Sequence, residues 1–134
     1  MNEDEIAAVI AAAKARGRVR IRQMIEEAGG LLSTAEAAVA AGMTEKQLQK
    51  SSLLAIETEG EIGWPRFQFE SQAMMDGVSR VVGCIGVDSG QMRLAFFLMR
   101  LDELGGMRPI DAIRAGNLRA IELAAYHFGR HGAS

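Results

Sequence analysis

The hexapeptide Trp64-Pro65-Arg66-Phe67-Gln68-Phe69 constrains the fold more than any other stretch of the chain. It holds one of the two prolines, the sole tryptophan and two of the five phenylalanines, in a sequence with only 5% aromatic residues. Rings of this size dominate any local core they enter, so the stretch is an anchor. Pro65 lacks an amide donor and has a fixed φ, which bars it from a helix interior and from a central strand. The hexapeptide also separates two textures. Short segments with Ser/Thr caps and glycine punctuation precede it; a run of helical patterns follows. These textures divide the chain into an N-terminal module over residues 1–69 and a helical domain over residues 70–134, docked on the anchor.

With 134 residues the chain suffices for one domain, or two very small ones sharing a core. Ala, Leu, Ile, Met, Glu and Arg dominate and β-branched residues are few, so the predicted fold is mainly α. The formal net charge of -2 supplies no global attraction to nucleic acid, and DNA binding has to rest on a local patch. A single cysteine, Cys84, excludes an internal disulfide and, within an apolar run, reads as an inert buried thiol. No apolar stretch reaches the length of a membrane span, and the acidic start is unlike a secretory signal. The expected location is the cytoplasm of a bacterium-like cell, with no membrane partner.

Residues 3–28 read as one helix. Ile6, Ile10, Ala13, Gly17, Ile21, Met24 and Ala28 recur at three- and four-residue steps and form an apolar stripe. Glu3, Asp4 and Glu5 suit the positive end of the helix dipole. Lys14, Arg16, Arg18, Arg20 and Arg22 flank the stripe. They read either as phosphate contacts or as a solvated face with Arg22 paired to Glu26. Gly29-Gly30 ends the helix.

Leu31 to Ser52 carries the most informative local pattern. Ser33 to Glu36 is a capping box opening a short helix to about Ala41, and Thr44 to Gln47 is a second one opening a helix through about Lys50. Gly42 joins the two. Ala38 before it and Leu48 after it have the spacing of a helix-turn-helix, in which the alanine is small because the helices cross closely and the leucine plugs the shared core. Thr44, Glu45, Lys46, Gln47, Gln49 and Lys50 are then the candidate DNA-facing residues, with Gln and Lys suited to base edges. A helix-helix corner that never meets DNA has the same pattern. The segment from Leu53 to Phe69 reads as a β-hairpin turning at Glu59-Gly60-Glu61, in the position of a wing. Over residues 33–70, three basic residues (Lys46, Lys50 and Arg66) stand against six acidic ones (Glu36, Glu45, Glu57, Glu59, Glu61 and Glu70). Such a balance opposes phosphate binding.

The rest is helical. Val78, Val81, Val82 and Ile85 mark a helix ending at Gly83 or Gly86. Asp88 or Ser89 caps a helix running to about Leu101, apolar on every face around Leu94 to Met99 and therefore central. Leu104-Gly105-Gly106 is a turn, Pro109 takes the first position of a short helix, and Asn117 caps the last helix. The fold class is thus mainly α: a winged helix-turn-helix-like module with a short hairpin, then a small helical bundle. His127 and His131 have the i,i+4 spacing of a metal pair but no third ligand or intervening glutamate. There is no nucleophile elbow, phosphate loop, CxxC pair or acid dyad. The expectation is a non-enzymatic protein without cofactor or metal.

Two stretches resemble the Xre/MbcA/ParS-type antitoxins. Trp64 to Phe69 is similar to the family's aromatic-Pro-x-aromatic-Gln-Phe junction. Phe96-Phe97-Leu98 followed by Leu104 to Gly116 is similar to the signature of its C-terminal toxin-binding domain, in which a Leu-x-Gly-x-x-Pro turn opens a short helix that stops at glycine. Leu31 to Leu54 is similar to the helix-turn-helix of members with a DNA reader, and the likeness spans about residues 30–130. It implies a protein that binds and neutralises a cognate toxin and represses its own operon through operator DNA. Gly106, Arg108, Pro109, Asp111 and Arg114 are the matching partner-binding positions, with Arg108 and Arg114 exposed for contact. Ser51 departs from the apolar residue a helix-turn-helix carries there. Two other readings stand beside the antitoxin: a stand-alone winged helix-turn-helix transcription regulator, and a degenerate member acting only as an oligomeric adaptor. A homodimer is expected under all three, because one half-site reader binds weakly and the first helix has a stripe that needs cover.

Overall fold

The computed structural model describes residues 2–130. Seven α-helices and one small antiparallel sheet make the described part mainly helical. Helix α1 (Glu3–Glu27) starts where the Asn2 side chain accepts from the Glu5 amide at 2.8 Å and stops before Gly29 and Gly30, both at positive φ. It does not bury its stripe: no residue of α1 is buried, and Ile6, Val9 and Ile10 are each about half exposed (44%, 54% and 49%). Only Ile21, Met24 and Ile25 reach partial burial, where the last turns lie near the central helix. The Arg22–Glu26 pair does not form among the described residues.

Strand β1 (Leu31–Leu32) follows, then α2 (Thr34–Ala41) and α3 (Glu45–Lys50). Both capping boxes are made. Ser33 Oγ accepts from the Glu36 amide at 3.1 Å while Glu36 accepts from the Ser33 amide at 2.9 Å, and Thr44 and Gln47 repeat the exchange at the same distances. Gly42 joins the helices in the left-handed region, and Ala37, Ala38 and Leu48 are buried between them.

Strands β2 (Ile56–Thr58) and β3 (Glu61–Pro65) form a hairpin, and the sheet order is β1-β3-β2, all antiparallel. Glu59 and Gly60 have φ of 52° and 81°, the pattern of a primed two-residue hairpin turn. The hairpin is shorter than its sequence suggests. Leu53 and Leu54 lie before the first strand because the Leu54 backbone is held by the Gln68 side chain instead of a neighbouring strand. The return strand stops at Pro65, and Arg66–Phe69 turns into a 3-10 helix. Pro65 also stands in the middle strand, where none was expected. It is tolerated because β2 pairs only as far as Gly63, so Pro65 has β1 on one side and no strand on the other.

Helices α4 (Gln72–Val82), α5 (Gly90–Leu98), α6 (Pro109–Arg114) and α7 (Leu118–His127) complete the fold. Ser71 and Ser89 cap α4 and α5 through the amides of Met74 and Met92. Helix α5 ends at Leu98 rather than near Leu101, because the chain turns extended at Met99. Asn117 precedes α7, but its side chain makes no capping bond. One continuous cluster of buried side chains runs from Ala28 to Ala125. Within it the rings of Phe67, Phe97, Phe96 and Phe128 touch in sequence, with centroids 5.7, 5.7 and 5.2 Å apart. This row of rings carries the hexapeptide's packing through α5 to the end of α7. Trp64 is buried outside this row, its Nε1–H donating to Thr34 Oγ1 at 3.1 Å.

Candidate functional site

The first candidate surface is the outward face of α3. Thr44, Glu45, Lys46, Gln47, Gln49 and Lys50 are all exposed, while Leu48 points inward. They are not equally available. Thr44 Oγ1 and Gln47 Oε1 are consumed by the capping box, so Glu45, Lys46, Gln49 and Lys50 remain as outward groups. Helix α3 is only six residues long. At its C-terminus Ser51 is the capping residue and is half-buried, its hydroxyl donating to the Leu48 carbonyl. That bond is what a serine supplies at a position where an apolar residue would only pack.

The acidic hairpin tip does not stand alone. Glu57, Thr58 and Glu59 line an open groove of about 320 Å³ together with Arg18, Ile21, Arg22 and Ile25 of α1 and Gln91 of α5. Gln91 Nε2 donates to the Glu57 carbonyl at 3.1 Å, which fixes the start of α5 against the hairpin. Two acidic and two basic residues therefore line the same groove, with no ion pair between them among the described residues. The tip's field on any approaching phosphate is weaker than the hairpin sequence alone implies.

The second surface is the turn into α6. Gly105 and Gly106 are both left-handed, at φ 66° and 85°. The Gly106 amide donates to the Leu101 carbonyl and the Leu101 amide to the Met107 carbonyl, closing a compact loop over residues 101–107. Arg108 is the capping residue of α6, and Pro109 occupies its first position, buried. The sequence-predicted partner residues are together here; Arg114 is exposed as expected, Arg108 is half-buried, and both are engaged in ion pairs. Arg108 makes a two-pronged pair with Asp111 (2.8 and 3.2 Å) and a third bond to Glu27 at 2.9 Å. Its side chain is only 22% exposed, against the expectation of an exposed residue. Arg114 makes a two-pronged pair with Glu70, both bonds 2.9 Å, and reaches Asp111 at 3.0 Å. The charges alternate along one line: Glu27, Arg108, Asp111, Arg114, Glu70. The Arg108 hydrogen bonds hold the Asp111 carboxyl below its ordinary range, and the Arg114 hydrogen bonds do the same for Glu70. Both guanidiniums are correspondingly raised, Arg108 chiefly by Asp111 and Arg114 chiefly by Glu70.

The line ties the last residue of α1 and Glu70, the residue after the hexapeptide, to α6. Its acidic members Glu27 and Glu70 carry no local motif and escape a reading by sequence; only the fold brings them within reach of arginines 81 and 44 positions away. The exposed groups of this end include Met99 and Met107, 40% and 36% exposed, together with Asp102, Glu103, Arg114 and Arg100, the last donating to the Gly106 carbonyl at 3.2 Å. A flexible thioether surface of this kind adapts to varied partners.

Of the histidine pair, His127 ends α7 and His131 lies outside the described residues. Among the described residues no cluster of three His, Cys, Asp or Glu could hold a metal ion. Cys84 is half-buried rather than buried. No helix among the described residues is long and apolar enough to cross a membrane. No protein-family model matches the chain, and neither a curated protein nor a solved structure does.

Proposed function

We propose that the chain is an antitoxin-like protein that neutralises a toxin enzyme through its C-terminal turn and α6, and uses α2 and α3 as a winged helix-turn-helix on operator DNA. The observation that carries this reading is the turn itself. Two left-handed glycines, a proline at the first helical position and a helix that stops at left-handed Gly116 give the Leu104–Gly116 stretch a defined corner, with Gly105, Met107 and Arg114 exposed and Pro109, Ile110, Ala112 and Ile113 buried. The ion line behind it supports a division of labour. Arg108, Asp111 and Arg114 hold the corner to the body, and Met99 and Met107 meet the partner. The crossing of α2 and α3 at Gly42 and the outward Lys46, Gln49 and Lys50 support the DNA surface.

A second reading, a regulator without protein partner, draws on the same α3 face and needs no function for the methionines. Affinity capture of tagged chain from its native host separates the two. Stoichiometric capture of one protein encoded beside it, lost in Met107→Asp, supports the antitoxin. Capture of DNA alone supports the regulator, and capture of neither leaves only the oligomeric adaptor.

A further inference from the structure

The first five turns of α1 form an arm with an apolar stripe and no cover. Ile6, Val9, Ile10 and Ala13 share one face at helical spacing and are all exposed. A large contiguous apolar face on an isolated helix marks an interaction surface. Its flanks carry a sorted charge pattern. Glu3, Asp4 and Glu5 are acidic, Lys14, Arg16, Arg18, Arg20 and Arg22 are basic, and among the described residues none of the eight makes an ion pair.

We infer that the arm pairs antiparallel with the same arm of a second copy of this chain, about a two-fold axis beside Ile10. Three features of the arm select this occupant and this direction. At 3.6 residues per turn, Glu5 and Arg16 lie on one flank of the stripe, Glu3 and Arg18 on the other. In an antiparallel two-fold pair, like flanks meet. With the axis beside Ile10, Glu3 then faces Arg18 of the second copy and Glu5 faces Arg16, twice over by symmetry. A parallel pair instead sets acid on acid and base on base. The same register brings Ile10 of each copy together and lays Ile6 of one beside Ala13 and Gly17 of the other. The pair also fits the rest of the molecule. Burial of α1 against the body begins at Ile21, and of the arm only Arg18 lines the groove beside the hairpin, so the two bodies sit at opposite ends of the paired segment, clear of each other. An isologous contact of this kind closes on itself and forms dimers, not fibres. The inference stands independently of the proposed function.

Sedimentation of the full chain across a micromolar concentration series tests it. Wild type is expected to be dimeric, and Ile10→Asp monomeric with unchanged unfolding of the body. Glu3→Lys with Glu5→Lys weakens the dimer by about tenfold or more, as does Arg16→Glu with Arg18→Glu, and all four changes in one chain restore it. Oxidative cross-linking fixes the direction. In a Cys84→Ala background, Ile10→Cys joins to its own copy. Ile6→Cys does not, because its copy lies about 13 Å along the axis, beyond the reach of about 7 Å that a disulfide spans. A monomeric wild type, a dimer indifferent to Ile10→Asp, a failed charge rescue, or efficient joining through Ile6→Cys each overturns the antiparallel arm pair.

Discussion

Gln68 and Leu54 are joined as though they were neighbouring strands. The Gln68 side-chain carbonyl accepts from the Leu54 amide at 2.8 Å, and its side-chain amide donates to the Leu54 carbonyl at 2.7 Å. Gln68 is fully buried, and so is nearly all of Leu54. One side chain therefore satisfies the backbone of a residue that has left the sheet, at the point where the sheet hands over to the helices. Gln68 is the only buried polar or charged residue of the described core. Its burial stabilises only because both ends of the amide are matched.

Replacing Gln68 by Leu keeps the volume and strands two buried backbone groups. Each unpaired group costs about 1–3 kcal/mol. The expected loss is about 3 kcal/mol, read from urea unfolding at unchanged slope. Gln68→Glu is destabilising too, because a carboxylate has no donor for the Leu54 carbonyl. A loss below about 1 kcal/mol for Gln68→Leu contradicts the pairing.

The ion line at α6 makes stability depend on acid pH. The folded carboxyls of Glu70 and Asp111 lie below their ordinary values, held down by Arg114 and Arg108 respectively. A group with a depressed folded pKa stabilises fully above its unfolded pKa, about 4 for these residues, and that stability is lost as pH falls through the folded value. Denaturation midpoints are therefore expected to hold from pH 7 to about 5 and to drop below about 4. Glu70→Gln flattens part of that drop. Since Glu70 is largely exposed, the effect is modest and weakens in salt. A drop of equal size in Glu70→Gln removes Glu70 from the account.

Gly90 opens α5 directly against the hairpin. A Cβ built there collides with the Ala55 carbonyl oxygen and comes to 3.1 Å from Ile56 Cα, both backbone atoms that cannot swing aside. Gly90→Ala is expected to destabilise by about 1–3 kcal/mol, as overpacking does. Gly17→Ala is the contrast: nothing lies within 4 Å, its φ is ordinary, and the change is expected to raise the helicity of α1 by circular dichroism. Thermal unfolding of the two variants reads the difference directly.

Local signals in the sequence were strong where the structure is local. Ser33 with Glu36 and Thr44 with Gln47 announce both capping boxes, Pro109 announces the start of α6, and the glycines announce the turns, because each is decided within four residues. The relations that set the site are not local. Glu27 and Glu70 reach Arg108 and Arg114 only after folding, and Gln68 reads as part of an aromatic motif until Leu54 is seen beside it. The strand β1 is two residues long and is formed by its partner Trp64-Pro65, with no alternation of its own. The stripe on α1 is legible as amphipathic, but amphipathicity does not say which chain covers it. Here the body covers only its last turns. The same distance argument explains the arginines. Arg108 and Arg114, at the two ends of a short helix, read as free until carboxylates from two other elements arrive.

The most direct test of the central claim is a titration of purified chain with the protein captured from its host, by calorimetry. The account predicts a saturable stoichiometric complex. Met107→Asp weakens it by about tenfold or more, equivalent to about 1.4 kcal/mol, while Lys46→Glu with Lys50→Glu leaves it unchanged. A complex indifferent to Met107→Asp, or weakened by the α3 changes, contradicts the assignment of the partner to the C-terminal corner.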